Sequence, residues 1–249
     1  VTIENESDVE GLRRIGRIVA TCLKEMGAAL EPGMTTAELD VIGDAFLARH
    51  GAESAPRITY DFPGATCISV GDQVAHGIPG SRVIEAGDLV NIDVSAHKDG
   101  YFADTGGTFE VPPYAPATRK LCMSTRRALQ DAMKEARAGA PLNRIGRAIE
   151  RRARKAGFRV IRDLCSHGVG RALHEEPEHI YGYYERRDAR RLREGQVITI
   201  EPFLTTGPPH VWEADDGWTL MNAPGKRSAQ YEHTMIITRA KPIVVTVAA

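Results

Sequence analysis

The chain has 249 residues, 42% hydrophobic and 26% charged, which is enough to bury a sizeable core. Its formal net charge of -1 gives no chain-wide attraction for nucleic acid or an anionic membrane, so any binding must come from a local site. Cys22, Cys67, Cys122 and Cys165 form no Cys-x-x-Cys pair, which argues against a zinc ribbon and fits reduced thiols in the cytoplasm.

The opening VTIENESDVE lacks the basic and apolar regions of a signal peptide, and no apolar run reaches the roughly 18 residues of a membrane span. A first helix is expected over residues 8–30, where Leu12, Ile15, Ile18, Val19, Cys22, Leu23 and Met26 form a helical stripe before Pro32-Gly33. A second runs over 36–51, opened by Thr35 and Glu38 at capping-box spacing. After strands, the order recurs: a helix over 118–137, a break at Gly139-Ala140-Pro141, and a helix over 143–155 stopped by Gly157. Gly33 and Gly139, like Gly51 and Gly157, stand 106 residues apart. The runs GDLVNID (87–93) and GQVITIE (195–201) stand 108 apart. This near-constant offset predicts a duplicated unit in an α+β fold, with helices on one face of an antiparallel sheet and acid-bearing strands meeting about a pseudo-twofold axis. The halves are residues 8–111 and 117–240 of one catalytic domain, 1–249, joined by the short Pro112-Pro113-Tyr114-Ala115-Pro116 segment.

Strand alternation puts Leu89, Asn91, Asp93 and Ser95 on one face and Val90, Ile92 and Val94 on the other. If Asp99-Gly100 forms a two-residue turn, Ser95 pairs with Asp104, and Asp104 sits diagonal to Asp93 on the same face, with Cα atoms roughly 7–8 Å apart. Taken alone, two such acids belong on a solvated edge hairpin. Two further apolar strands, 197–203 and 230–237, carry Glu201 and Glu232. Burying four carboxylates without counter-charge is too costly, and divalent cations supply the missing charge. Three histidines, His76, His167 and His174, stand in Gly- or Pro-punctuated loops with apolar flanks; His50, His97, His179, His210 and His233 lack that setting. One imidazole with four carboxylates is a hard, oxygen-rich set suited to paired manganese, cobalt, iron or zinc. Two ions about 3.5–4 Å apart, sharing a water as nucleophile, would carry out metal-assisted hydrolysis.

The stretches HGIP (76–79), NIDV (91–94), DGYFADT (99–105), SHGVGRALHEEP (166–177), TIEP (199–202) and SAQYEHT (228–234) span most of the chain. In this order they resemble the type I methionine aminopeptidases of the "pita-bread" metallopeptidases. The resemblance implies a curved antiparallel sheet between two related halves. It implies that Asp93, Asp104, His167, Glu201 and Glu232 hold two divalent ions, with Asp104 and Glu232 bridging and Glu201 the base for water. His76 and His174 are implied to hold the scissile group and stabilise charge on oxygen. Tyr60, Phe62, Cys67 and Trp218 are candidate walls of a methionine pocket. The implied substrate is the N-terminal methionine of nascent proteins with a small second residue, cleaved by a cytoplasmic monomer, with the ribosome exit region as a possible meeting point and no nucleic acid or membrane involved.

Departures from the family pattern fall at Ala65, Gly71-Asp72, Phe102-Ala103, Ser166 and Leu173, none at an implied ligand. The first helix starts almost at once, so no N-terminal zinc-finger or ribosome-docking extension is expected. The 26 residues between His174 and Glu201 and the 30 between Glu201 and Glu232 leave no room for the type II insertion. Two alternatives share the fold: an Xaa-Pro peptidase, which usually carries an extra N-terminal domain, and a non-catalytic binding protein, which would lose ligands. A mononuclear iron oxygenase needs two histidines and one carboxylate, fewer acids than this chain offers.

Overall fold

The computed structural model describes residues 3–248. Its first half holds α1 (Glu6–Ala29), α2 (Thr36–Arg49), β1 (Glu53–Ser54), α3 (Ala55–Tyr60), β2 (Cys67–Val70), β3 (Gln73–Ala75), β4 (Leu89–Lys98) and β5 (Tyr101–Glu110). The second holds α4 (Pro116–Met133), α5 (Asn143–Ala156), β6 (Arg159–Val160), β7 (Cys165–Gly168), β8 (Glu175–Tyr181), β9 (Val197–Ile200) and β10 (Phe203–Thr205). It continues with β11 (Trp212–Glu213), β12 (Leu220–Met221), β13 (Ser228–Gln230), β14 (His233–Ile236) and β15 (Ile243–Val244).

Local signals set the helix ends. Asn5 with Asp8, and Thr35 with Glu38, form reciprocal capping boxes at α1 and α2. Gly157 ends α5 in the left-handed conformation at φ 84°. Helix α4 stops at Met133, short of the expected 137: the N–H groups of Glu135, Ala136 and Arg137 turn to the near carbonyls of Ala132, Met133 and Glu135, and Ala138 and Gly139 then donate to Thr238 and Leu192. Helix α3, which the sequence pattern did not suggest, carries Tyr60 at its end.

In the first sheet, β4 pairs with β5 along its length on one edge and with β2 and β1 on the other. Asp99 and Gly100 both have positive φ, so the hairpin turns in two residues and pairs Ser95 with Asp104. The second sheet runs β15-β14-β9-β7-β8. The sheets are joined at β5, where Gly107 bridges Tyr231 and Glu232 N–H donates to Gly106 at 3.0 Å. Val90, Ile92 and Val94 pack beneath α1 and α2 with Ile15, Val19, Leu39 and Phe46. Ile198, Ile200 and Met235 pack beneath α4 and α5 with Leu121, Leu129, Ile145 and Ile149. Each such side chain, fully buried, contributes about 1.5–3 kcal/mol. Helices thus consume one face of each sheet, and the acids occupy the other.

The strands expected over 197–203 and 230–237 are each broken, and the breaks fall at the acids. Strand β9 ends at Ile200; past Glu201-Pro202, β10 pairs in a separate sheet with β13 and β6. Strand β13 likewise stays with β10, and beyond Tyr231-Glu232 the chain joins β9 as β14. Pro202 has no N–H to continue a ladder, and a strand that changes sheets must break its register at the corner. Glu201 and Glu232 therefore sit at corners rather than in mid-strand.

The segment before β2 is held by a buried carboxylate: Asp40 of α2 accepts from Ala65 N–H (3.0 Å), Thr66 N–H (2.8 Å) and the Thr66 hydroxyl (2.7 Å). Asp40→Ala leaves these buried donors unpaired and is expected to destabilise the fold by about 2–4 kcal/mol, read as the shift in a urea unfolding midpoint. A shift under about 0.5 kcal/mol, the size of an ordinary surface change, would contradict this role.

Candidate metal centre

The site is built where β4, β5, β7 and the two corners converge. The register sets Asp93 opposite Gly106 and Asp104 opposite Ser95, so the two carboxyls are diagonal neighbours. One side-chain ligand atom from each of Asp104, His167 and Glu232 lies within 4.8 Å of the other two. His167 Nε2 is 3.5 Å from Glu201 Oε1 and 3.9 Å from Asp104 Oδ2.

Burial is the main cause of the electrostatics here. It pushes Asp104 up to about 6. It raises Asp93, Glu201 and Glu232 well above the usual carboxylate range, and mutual repulsion adds to it. Burial, with His174 adjacent, lowers His167 to about 3, so its imidazole is neutral at working pH. Its Nδ1–H donates to the Gly168 carbonyl at 2.9 Å, which leaves the Nε2 lone pair facing the acids. Asp104 Oδ1 and Glu232 Oε1 are buried with no hydrogen-bond partner, each costing about 1–3 kcal/mol. Orphaned hard oxygens beside a neutral imidazole are the donor set a divalent cation requires, and the residues present fit one.

Three supporting residues escaped the sequence reading. Gln230 Nε2–H donates to Glu232 Oε2 at 3.0 Å, and Asn91 Nδ2–H holds Gln230 Oε1 at 2.9 Å. The Thr199 hydroxyl donates to Glu201 Oε1 at 3.2 Å. Asn91, Thr199 and Gln230 each precede an acid by two residues, so period-two alternation was a signal available for all three.

Above the acids opens a cavity of about 590 Å³, lined by Tyr60, Phe62, Cys67, His76, Asp93, Asp104, His167, His174, Glu201 and Trp218. Of the candidate site residues only Glu232, 2% exposed, is absent from its wall. Phe62 and Trp218 meet edge to face with ring centroids 5.1 Å apart. Cys67 stands opposite Asp93 across β2 and β4, and burial together with the nearby acids pushes its thiol well up. His76 holds a left-handed backbone, φ 54°. At the following Gly77 a Cβ would lie 2.2 Å from the Ile68 carbonyl oxygen, so only glycine fits. His76 lines the cavity, and desolvation by the surrounding protein lowers its pKa. His174 Nδ1 lies 2.6 Å from the Tyr60 hydroxyl, and its ring centroid is 4.1 Å from that of His167. Burial, then His76 and His179, lower its pKa as well.

The loop bearing His174 is tied to the first half. Phe102 N–H donates to the Gly170 carbonyl at 2.7 Å, and Arg171 reaches Asp8 of α1, which also accepts from the Tyr101 hydroxyl. Of the Phe102-Ala103 departure, Ala103 belongs to the core under α1 and α2, and Phe102 packs on His97 at 4.7 Å between ring centroids. Neither lines the cavity.

Comparison with known proteins agrees with this geometry. The model of metallopeptidase family M24 matches residues 10–239. Methionine aminopeptidase 2 of Bacillus subtilis is 48% identical over 98% of both chains, and a methionine aminopeptidase of Staphylococcus epidermidis is 44% identical over the same shares. The crystal structure of methionine aminopeptidase from Thermotoga maritima superposes with a TM-score of 0.94 at 32% identity, covering 98% of each chain. The prolidase of Pyrococcus furiosus shares the fold at a TM-score of 0.81 and 23% identity, with this chain covering 66% of its length. The fold is the pita-bread fold, and the chain belongs to metallopeptidase family M24.

Proposed function

We propose that this chain is a methionine aminopeptidase that removes the initiator methionine from nascent proteins when the second residue is small. One observation carries the reading: a single cavity joins an apolar wall of Phe62, Trp218, Cys67 and Tyr60 to three carboxylates, Asp93, Asp104 and Glu201, and a neutral imidazole, with Glu232 buried behind them. A flexible thioether side chain suits the apolar wall, and the acids suit metal-assisted hydrolysis. Relatives named methionine aminopeptidase at 44–48% identity favour it over the proline-directed reading, whose named structures share the fold at 19–23%.

In this reading Asp93, Asp104, His167, Glu201 and Glu232 would hold two divalent ions of manganese, cobalt, iron or zinc. Such ions would supply Lewis-acid polarisation of the scissile carbonyl and a lowered pKa for water. Glu201, with its raised affinity for protons, takes the proton of the attacking water and passes it to the departing amine. His76 and His174, which desolvation at the cavity wall holds below the usual imidazole range and so neutral, donate N–H groups to the oxygen where charge develops. The halves 8–111 and 117–240 work as one catalytic domain, monomeric in the cytoplasm, meeting nascent chains near the ribosome exit region. No helix among the described residues is long and apolar enough to cross a membrane.

The test is cleavage of Met-Ala-Ser against Ala-Pro-Ala by chelated protein resupplied with manganese, cobalt or iron. Methionine release with little attack on the proline peptide is expected. Preference for Ala-Pro-Ala would overturn the substrate assignment, and no turnover of either peptide with metal bound would favour a non-catalytic binding protein.

A further inference from the structure

The chain-wide charge of -1 conceals a strong segregation of charge. Residues 116–162 hold fourteen of the 32 Lys and Arg but only three of the 33 Asp and Glu. This stretch is the α4–α5 helix layer and the strand that follows it. Along α5, Arg144, Arg147, Arg151 and Arg154 recur at spacings of three and four, a single stripe on one helix face. Along α4, the pairs Arg119-Lys120 and Arg126-Arg127 recur seven residues apart, two turns along one side.

Few of these charges are neutralised. Five of the fourteen are paired: Asp131 takes Arg152 at 2.6 Å and Lys134 at 3.3 Å, Glu135 takes Arg144 at 3.0 Å, and Glu150 takes Arg154 at 3.0 Å and Arg162 at 3.8 Å. Among the described residues, Arg119, Lys120, Arg126, Arg127, Arg147, Arg151 and Lys155 have no carboxylate within 4 Å. Between the helices, Lys120, Arg127, Arg152 and Lys155 converge on one hollow of about 210 Å³ that no acid lines. Two of the cations lie over aromatic rings away from the hollow, Arg119 over Tyr114 at 4.9 Å and Arg147 over Tyr184 at 4.1 Å.

We propose that the α4–α5 face binds the phosphate backbone of a nucleic acid, with the hollow between the helices taking a phosphate group. Rows of uncompensated cations along two helices match the regular charge of a nucleic-acid strand. An anionic bilayer fits less well: helices that lie on a membrane insert an apolar face, and here Leu121, Leu129, Ile145 and Ile149 spend theirs on the protein core. None of the seven cations lines the catalytic cavity, so the inference stands whether or not the proposed peptidase reading holds.

The test is binding of a fluorescently labelled 20-base-pair double-stranded RNA by the full chain, titrated at several salt concentrations. If about seven phosphates are contacted, log affinity falls with log salt at a slope near -6. K120E/R127E/K155E is expected to weaken binding at low salt at least tenfold and to flatten the slope by about 3. K120Q/R127Q/K155Q should give a smaller loss in the same direction, and circular dichroism checks that both variants are folded. Hydrolysis of Met-Ala-Ser should be unchanged in both. No binding at about 50 mM salt, or equal affinity of folded K120E/R127E/K155E, would overturn the proposal. So would tighter binding to phosphatidylcholine vesicles carrying phosphatidylserine than to RNA.

Discussion

Glu232→Gln is expected to raise the melting temperature of the metal-free protein while abolishing metal binding and lowering kcat/KM by at least about three orders of magnitude. The two effects have one origin. Glu232 is 2% exposed among three other carboxyls, with one oxygen held by Gln230 and the other without a partner. Glutamine keeps the carbonyl that accepts from Gln230 and removes a charge the apo fold must hold at a cost. The sign of the pH dependence follows. In the unfolded chain these carboxyls titrate near 4, whereas the fold lifts Asp104 to about 6 and the other three well above their usual values. Between those values the native state binds more protons than the unfolded state. Metal-free stability is therefore fully present below about pH 4 and falls as pH rises through 6, by roughly 1.4 kcal/mol per pH unit for each such proton. Glu232→Gln should flatten that fall. Thermal unfolding from pH 5 to 8 with chelator, together with elemental analysis of the metal-loaded protein, measures both effects. A chelated variant that melts below the chelated parent would show that the acids are not in electrostatic conflict.

His174→Ala is expected to retain metal and lose about 100- to 1,000-fold in kcat, with a smaller change in KM. Its ring lies against His167 on one side, and its Nδ1 meets the Tyr60 hydroxyl at 2.6 Å. With the phenol donating to Nδ1, the imidazole proton resides on Nε2, available to an oxygen in the cavity. Its lowered pKa keeps it neutral, so it offers one directed N–H and adds no further cationic repulsion. Tyr60→Phe frees the ring to take the other tautomer and should cost kcat about tenfold, leaving KM near the parent value. Steady-state kinetics on Met-Ala-Ser with parallel metal analysis separates the roles. Loss of metal in His174→Ala would make His174 a ligand, and an unchanged kcat would remove it from the reaction.

Much of this protein was legible before any coordinates. The Thr35–Glu38 capping box, the glycine stop of α5 and the two-residue turn at Asp99-Gly100 are local signals, and the structure keeps each of them. The turn fixed the β4–β5 register, and period-two alternation then put Asp93 and Asp104 on one face. The aligned acids and glycine-flanked histidines pointed to one chemistry because buried carboxylates without counter-charge are too costly to persist for packing alone. Tertiary structure decided what depends on contacts distant in sequence. Strands β9 and β13 change sheets at Glu201 and Glu232, which turns two apparent mid-strand acids into corner residues aimed at Asp104 and His167. Asn91 supports Glu232 only through Gln230, 139 residues away. The basic helix layer was present in the composition but cancelled in the sum, since net charge records how many charges a chain carries and only folding assigns them to a face.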